Sequence, residues 1–318
     1  MARRLFHHGA FHIETIQLAR VNIVGSGSML PRRALGRQLR KMRLRAEMTQ
    51  AGAARAAETS PQTYGRLEDG LKTKVTDMAM NALCNAFSAT DEERITILDL
   101  ARAIRKFAAS DIEWWQAPRH ALPSIFKHFV SMEEAATQIV SWQTGLVPGL
   151  LQTREYRRAL LWAEFPDMPS QEVESSLDVL MRRQELLDKA DLHFEALIAE
   201  SVLHSVIGGP SVIEDQLSQL LAVSQRPNVT LRIVGRDAKD PVGVIAGSFV
   251  FFDLPPLPTS RMRQPPVVYL EGYLATTYVE TVPEVTKYSQ VMDRLRRVAH
   301  SEEKSRALVS EALEVREQ

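Results

Sequence analysis

This sequence is poor in cysteine and contains no long apolar run. Its 318 residues include one cysteine, Cys84, which excludes a disulfide within the chain and suits a reducing cytoplasm. We expect Cys84 to be a small buried apolar side chain. No run of about 18 apolar residues occurs, so no transmembrane helix is expected. No apolar segment precedes a small-residue cleavage site near the N-terminus, which argues against a secretory signal. The sequence predicts a cytoplasmic protein without membrane contact.

The common motifs of enzymes and metal sites are missing as well. The sequence contains no glycine-rich phosphate loop, no HExxH, no nucleophile elbow and no paired cysteines at metal-binding spacing. His193 and His204 lie too far apart for a simple helical ligand pair. We therefore expect neither an enzyme nor a bound metal or cofactor.

The charge is balanced overall but uneven along the chain. Charged residues make up 25% and hydrophobic residues 45% of the sequence, as in ordinary globular proteins, and the length suffices for two domains. Residues 29–74 carry eleven Lys and Arg against four Asp and Glu, whereas residues 107–318 carry 21 against 29. A basic block followed by an acidic remainder fits phosphate binding by the N-terminal part only.

Within that basic block, residues 49–70 (TQAGAARAAETSPQTYGRLEDG) predict two short helices joined by a tight turn. Thr49 and Ser60 are favoured N-caps, and Pro61 falls at the first helical position, where its missing N–H costs nothing. Gly70 is the usual residue for a left-handed C-terminal cap. Tyr64 and Leu67 share one side of the second helix and are expected to pack inward.

The other side of the second helix carries short hydrogen-bonding side chains and one guanidinium, which is what reading base edges in a major groove requires. Any surface helix can carry Gln and Arg, but the spacing of the whole unit favours the DNA interpretation. The outward residues are Ser60, Gln62, Thr63 and Arg66.

Residues 49–70, together with 35–45, resemble the phage-repressor-like (Xre-type) helix-turn-helix family in the TQ opening, the SPQT start and the RLEDG ending. The resemblance implies that Gln50 touches a phosphate and that Gln62 and Arg66 reach bases. It also implies that Lys72 and Lys74 lie on the DNA backbone beside the groove.

Two positions depart from the family pattern. Glu58 stands where the turn usually has glycine, and Ala53 stands where the first helix usually has leucine. A non-glycine residue in a left-handed turn costs roughly 1–2 kcal/mol, so the motif is expected to be less stable than its relatives.

Five helices are predicted in residues 29–110, which form the helix-turn-helix domain. The helix 31–45 has an inward stripe of Leu35, Leu39 and Met42, with arginines and Lys41 over much of the remainder. Helix 77–87 follows the motif, and a capping box at 90–93 opens a helix to about residue 107. The residues expected on the remainder of the first helix are Arg32, Arg33, Arg37, Arg40, Lys41 and Arg43.

Two segments outside the domains carry little regular pattern. Residues 1–28 end in Gly-Ser-Gly-Ser and are interpreted as a disordered extension or tag-like tail. Residues 111–123 (DIEWWQAPRHALP) are interpreted as a linker. Trp114 and Trp115 are expected to anchor it on a neighbouring surface, since they lie outside the basic block; stacking on bases is the alternative.

Residues 124–318 are predicted to form a mixed α/β (α+β) domain, because strands and helices alternate without strict βαβ order. Residues 133–143 are ambiguous, with a capped helix and an alternating strand both open. Strands are expected at 194–200, 229–234, 249–254, 267–271 and 276–279, and helices at 154–165, 170–189, 211–224, 283–298 and 301–315.

Four segments of this part carry a second resemblance: SWQTGLVPGLLQTREYRRAL, AESVLHSVIGG, PNVTLRIV and PPVVYLEGYLATTYVE. They look like the C-terminal domain of a large actinobacterial regulator family, in which the same helix-turn-helix precedes an antitoxin-like domain of unknown function. The resemblance covers most of residues 113–312. It implies a small partner protein encoded nearby.

Glu200 and Glu271 are the candidate ligand or partner residues of the second domain, because each closes an apolar strand. Two carboxylates at strand ends suit a cationic ligand or acid–base work. The alternative, which the sequence favours, is a surface position or a pair with an arginine such as Arg182 or Arg232.

Three functions follow. The first is a DNA-binding transcriptional regulator, homodimeric on double-stranded DNA and controlled through its second domain by a protein partner. The second is a regulator whose second domain binds a small molecule, and the third is an enzyme tethered to DNA. A pocket with convergent polar groups favours the small molecule, and a broad exposed apolar patch favours the protein partner.

Overall fold

The computed structural model describes residues 26–71, 74–110, 124–257, 262–273 and 275–316. Residues 1–25 and the predicted linker 111–123, with Trp114 and Trp115, lie outside the described residues. The N-terminal part is helical, as predicted: α1 (Ser26–Arg45), α2 (Gln50–Ala56), α3 (Pro61–Glu68), α4 (Asp77–Ala86) and α5 (Asp91–Ser110).

Helix α1 differs from its prediction in two ways. It begins at Ser26, inside the segment interpreted as a tail, whereas the predicted start was residue 31. Leu35, Leu39 and Met42 are buried as expected, but Arg32 and Arg33 are buried as well. The sequence places these two arginines and Arg43 on the remainder of the helix, beside the inward stripe, and all three are nevertheless buried. The reason is that α1 packs on α3 and α5 and also contacts the C-terminal part.

The C-terminal part is a six-stranded sheet with helices on both faces, so the predicted mixed α/β class is confirmed. The ambiguous segment 133–143 contains the end of one helix and a strand. The elements are α6 (Ser124–Ala135), β1 (Gln138–Gln143), α7 (Arg154–Glu164), α8 (Ser170–Gln184), β2 (His193–Ala199), α9 (Pro210–Val223), β3 (Val229–Val234), α10 (Val242–Ala246), β4 (Phe249–Asp253), β5 (Val267–Glu271), β6 (Thr276–Val279), α11 (Val282–Val298) and α12 (Glu302–Glu314).

The strand order is β3-β2-β1-β4-β5-β6. β1, β2 and β3 pair in parallel, and β4, β5 and β6 pair antiparallel to their neighbours. The carboxyl ends of β1, β2, β3 and β5 therefore meet at one edge of the sheet. Side chains at that edge are brought together from distant parts of the sequence.

Two apolar clusters fill the interior. One runs without a break from the helical part into one face of the sheet, where Phe129 of α6 and Ile139 of β1 belong to it. The other lies on the opposite face, where Trp142 and Phe249 pack with Leu295 of α11. No helix of the described ranges is long and apolar enough to cross a membrane.

Candidate DNA-reading surface and C-terminal cavity

The two predicted N-caps of the helix-turn-helix are formed as expected. The Thr49 Oγ1 atom accepts a hydrogen bond from the Gly52 backbone N–H at 3.1 Å. The Ser60 Oγ atom accepts one from the Thr63 backbone N–H, also at 3.1 Å, and Pro61 opens α3. These bonds satisfy backbone donors that a helix start otherwise leaves open, so both helices begin where the sequence places them.

Of the predicted DNA-contacting residues on α3, Ser60, Gln62 and Thr63 lie at its N-terminal end, whereas Arg66 lies in its last turn. Ser60 and Gln62 are exposed, and Thr63 and Arg66 are half-buried. Within the described part of the chain, the Arg66 backbone oxygen accepts from the Leu71 N–H, but the Arg66 guanidinium makes no ion pair or hydrogen bond to another residue, so it has donors to offer. Tyr64 and Leu67 point inward and are buried, as predicted.

Of the two predicted backbone-contacting lysines, Lys74 is exposed close to α3 and Lys72 lies outside the described residues. Gln50 is exposed, but its Nε2 atom donates to the Glu68 Oε2 atom at 2.9 Å. The amide predicted to touch a phosphate therefore has an internal partner, and its phosphate contact stays a prediction.

Glu68 is the centre of a network that sequence reasoning missed. Its carboxylate is buried and forms an ion pair with Arg43 of α1, with a shortest N–O distance of 2.5 Å. Burial by itself raises the pKa of Glu68, but hydrogen bonds from Arg43 and Gln50 outweigh it, so the pKa lies below its usual value. This network ties the ends of α1 and α3 to the start of α2, which holds the two motif helices in one orientation.

Glu58, at the turn position that the resembled family usually gives to glycine, is left-handed with φ +50°. Gly70, predicted as the left-handed C-terminal cap of α3, has φ +71°. Ala53, at the usual leucine position, is buried.

Gly36 allows helix α1 to lie close to the end of α3: a Cβ atom at this position would meet the Glu68 backbone oxygen at 2.1 Å. Helix α1 thus touches the end of α3 backbone to backbone.

The same helix α1 also touches the C-terminal part through charged side chains. Arg33 is buried and pairs with Glu280, which follows β6, at 2.5 Å. Burial lowers the pKa of Arg33, and Glu280 opposes that shift. Arg37 of α1 donates to the Gln264 side chain. Helix α1 therefore contacts both the motif and the C-terminal domain. In the two contacts with the C-terminal domain, more than two hundred residues separate the partners, so no local sequence pattern predicted them.

The two candidate carboxylates of the second domain are not brought together. Glu200 and Glu271 lie at the same edge of the sheet, but β1 and β4 separate β2 from β5. Glu200 accepts from the Arg236 backbone N–H at 3.0 Å and pairs with the Arg236 side chain at 3.3 Å. An arginine partner was expected, but neither Arg182 nor Arg232 is that partner.

Glu271 instead lines a cavity between one face of the sheet and helices α6, α7 and α8. The cavity measures about 130 Å³. Its wall combines aromatic and aliphatic side chains with two arginines and two carboxylates. The charged residues are Arg157, Arg183, Glu133 and Glu271, and apart from Glu271 none was singled out in the sequence.

Comparison with known families assigns both parts of the chain. Residues 34–95 match the model of a helix-turn-helix domain, and residues 126–311 match that of the domain of unknown function DUF5753. The second match covers more than half of the chain. The chain belongs to the DUF5753 family. Neither a curated protein nor a solved structure matches the chain.

The helix-turn-helix match contains α2, α3 and α4 and most of α1. It makes this DUF5753 protein a helix-turn-helix regulator, with DNA as the partner of its N-terminal part. The DUF5753 match includes the cavity and β1 to β6, so the cavity belongs to the part of the chain for which the family gives no function.

Proposed function

We propose that this DUF5753 protein is a transcription regulator of the phage-repressor-like (Xre) type, which reads a specific double-stranded DNA sequence with α3. The observation that carries the proposal is the outer side of α3. It carries the exposed Gln62 in the first turn and the half-buried Arg66 in the last turn, within a basic block, and the opposite side of the helix is buried. An amide and a guanidinium are the groups that pair bidentately with adenine and guanine edges.

The test is selection of bound duplexes from a random pool with the full chain, followed by competition gel shifts. Arg66→Ala should weaken binding to the selected site by about 1–3 kcal/mol and relax the preference at one base pair. The matched control is Arg102→Ala, an exposed arginine of α5 outside the basic block, which should bind like the wild type. Unchanged sequence preference in Arg66→Ala would remove α3 as the reading helix.

The finer features of the proposal rest on the sequence. The resemblance implies a regulator of the actinobacterial kind, the cysteine content favours the cytoplasm, the small number of base pairs that one helix contacts favours a homodimer, and the missing motifs argue against catalytic activity, a metal or a cofactor. Among the described residues, no group of three or more His, Cys, Asp or Glu side chains is placed to hold a metal ion. Activation and repression are both compatible with this proposal.

Control by a small protein partner, as in an antitoxin-like pair, is the mode that the resemblance of the second domain supports. Affinity capture of the full chain from its native cells, followed by mass spectrometry, tests it. The expected result is one small protein recovered in a fixed ratio to the chain. Recovery of the chain alone would count against this mode.

Control by a small molecule is the second candidate, and the cavity favours it. Convergent polar groups over an apolar interior are the ordinary features of a ligand pocket. The residues that line this cavity come from α6, α7, α8 and the sheet, so a ligand there contacts most elements of the domain at once.

A further inference from the structure

The cavity is lined by apolar side chains together with polar ones, and its opening is charged. Phe126 and Phe129 of α6 and Leu180 of α8 line the space of about 130 Å³ together with Ser141 and Gln152. A groove of about 410 Å³ adjoins it, and Arg157 and Glu271 line both spaces. Because an engineered cavity of about 150 Å³ holds benzene, the interior has room for one branched or aromatic side chain.

One charge pair in the wall is already neutralised. Arg183 donates to both oxygens of Glu133, at 2.7 Å each, and both side chains are buried. The Arg183 guanidinium also lies 5.1 Å and 5.4 Å from the ring centroids of Phe126 and Phe129. This pair therefore forms a fixed part of the wall and leaves no net charge for a ligand to balance.

Arg157 and Glu271 are different, because no ion pair joins them. In the described ranges, Arg157 has no carboxylate within ion-pair distance. Burial lowers the pKa of Arg157 and repulsion by Arg183 lowers it further, while Glu164 and Glu271 oppose this shift without cancelling it, so the cationic form gains from an added anion. Glu271 is exposed at the end of β5, on the same side of the strand as Tyr269, whose pKa is raised by burial and by the nearby Glu271.

Four classes of small ligand can be compared at this opening. A neutral apolar molecule adds no counterion for Arg157, an anion adds repulsion from Glu271, and a cation adds repulsion from Arg157. A zwitterion pairs its carboxylate with Arg157 and its ammonium group with Glu271. We infer that the cavity binds a small zwitterion with an apolar side chain, the chemistry of a hydrophobic α-amino acid.

The inference deepens the second candidate function, and its regulatory consequence rests on the proposed DNA binding. Helix α6, whose Phe126 and Phe129 line the cavity, also packs on α1, where the Arg33 Nη1 atom lies 3.8 Å from the Met132 sulfur. Helix α1 in turn contacts the end of α3 at Gly36. A ligand that favours one position of α6 therefore acts on the orientation of the reading helix.

The binding test uses the full chain and isothermal titration calorimetry, without DNA. The probes are L-phenylalanine and L-leucine, with 3-phenylpropionate and 2-phenylethylamine as analogues that carry one charge each. The zwitterions should bind, and each analogue should bind about tenfold or more weakly, because each leaves one charged residue of the opening unpaired.

The variants separate the two charged contacts. Arg157→Gln should weaken both L-phenylalanine and 3-phenylpropionate about tenfold to a hundredfold, whereas Glu271→Gln should weaken L-phenylalanine only. Arg182→Gln, the same change at an exposed position of α8, should leave binding unchanged. If Arg157→Gln does not fold, Leu146→Trp narrows the opening from a surface position and should abolish binding.

Absence of binding by all four probes would overturn the inference. Equal affinity for L-phenylalanine and 3-phenylpropionate, unchanged by Glu271→Gln, would overturn the zwitterion and leave an anion site. The coupling between the cavity and DNA binding is measured separately, as the change in affinity for the selected duplex when L-phenylalanine is added. We expect a change of about fivefold or more, and the duplex should change the affinity for L-phenylalanine by the same factor. Failure of DNA binding alone would contradict the proposed function while the calorimetric result stands.

Discussion

His128 lies on α6, near the contact of that helix with α1. Its ring is half-buried, with its centroid 4.5 Å from the centroid of the Tyr278 ring. Burial, with a smaller effect of the Arg33 charge, lowers the pKa of His128 to about 3. The neutral form is therefore favoured in the folded protein, because protonation would place a second cation beside Arg33.

This shift predicts a loss of stability in mild acid. The unfolded chain takes up a proton at His128 below about pH 6.5, whereas the folded chain does not until about pH 3. The stability that the neutral form provides is present above about pH 6.5 and is lost progressively as the pH falls toward 3. His128→Asn should reduce the loss of unfolding free energy between about pH 7 and pH 5 by up to about 2 kcal/mol.

Urea unfolding at several pH values measures this effect. The matched control is His193→Asn, since His193 is exposed at the start of β2. The control should follow the wild-type pH dependence. If the unfolding free energy of His128→Asn changes with pH as steeply as that of the wild type, His128 titrates alike in the folded and unfolded chain.

At the scale of elements, the turn between α2 and α3 holds a glutamate in a left-handed conformation. Glu58 is exposed and has φ +50°. Its backbone N–H donates to the Arg55 carbonyl oxygen at 3.1 Å, so the conformation belongs to the end of α2. A side chain in this region is strained, whereas glycine adopts it without that cost.

Glu58→Gly should therefore stabilise the protein. The relief of roughly 1–2 kcal/mol of strain is reduced by the greater freedom of glycine in the unfolded chain, about 0.4–1 kcal/mol, which leaves a gain of up to about 1.6 kcal/mol. Thermal unfolding measures it, with affinity for the selected duplex unchanged. Glu92→Gly, in the first turn of α5, is the comparison and should destabilise by about 0.5–1 kcal/mol. A destabilised Glu58→Gly would show that the carboxylate makes a contact of its own.

Helix α1 is the element on which the whole arrangement depends. Gly36 and Arg43 hold the end of α3, while Arg33 and Arg37 hold the C-terminal domain. Because the apolar cluster is continuous across this contact, α1 cannot shift against one partner without disturbing its packing on the other. In the proposed coupling, α1 is therefore the element through which a change in the second domain would reach α3.

At the scale of the whole molecule, one reading helix contacts few base pairs, so specific affinity normally needs two copies about 34 Å apart, one turn of the double helix. No apolar heptad continues for three repeats in residues 29–110, so that part has no dimer zipper. We expect the dimer contact mainly in the second domain, which ends in α11 and α12.

Sedimentation of the full chain should show dimers, and a fragment of residues 29–110 should show monomers. On the selected DNA, two copies should bind two half-sites, and insertion of about five base pairs between these half-sites, half a helical turn, should abolish cooperative binding. A full chain that stays monomeric on such a palindrome, or a fragment that dimerises completely, would contradict this arrangement.

The sequence by itself determined the local elements and the inward side of α3. The caps at Thr49 and Ser60 and the capping box at 90–93 formed as predicted, because each bond joins residues three apart. β3, β5 and β6 have the predicted bounds, since β-branched and aromatic runs mark them directly. The strand and helix content, and with it the fold class, followed from the same local patterns. The short helix α10 was missed, because five residues carry too little periodicity.

Only the tertiary structure decided which charges are buried and which residues share a site. In the sequence, Arg33 and Arg43 lie outside the inward stripe of α1. They are buried because α1 packs between α3, α5 and α6. The order of the sheet separated Glu200 from Glu271 and placed Glu271 beside Arg157 at one cavity. These outcomes depend on contacts between residues tens to hundreds of positions apart. Spacing along the chain does not specify which distant surfaces pack together when the apolar core forms.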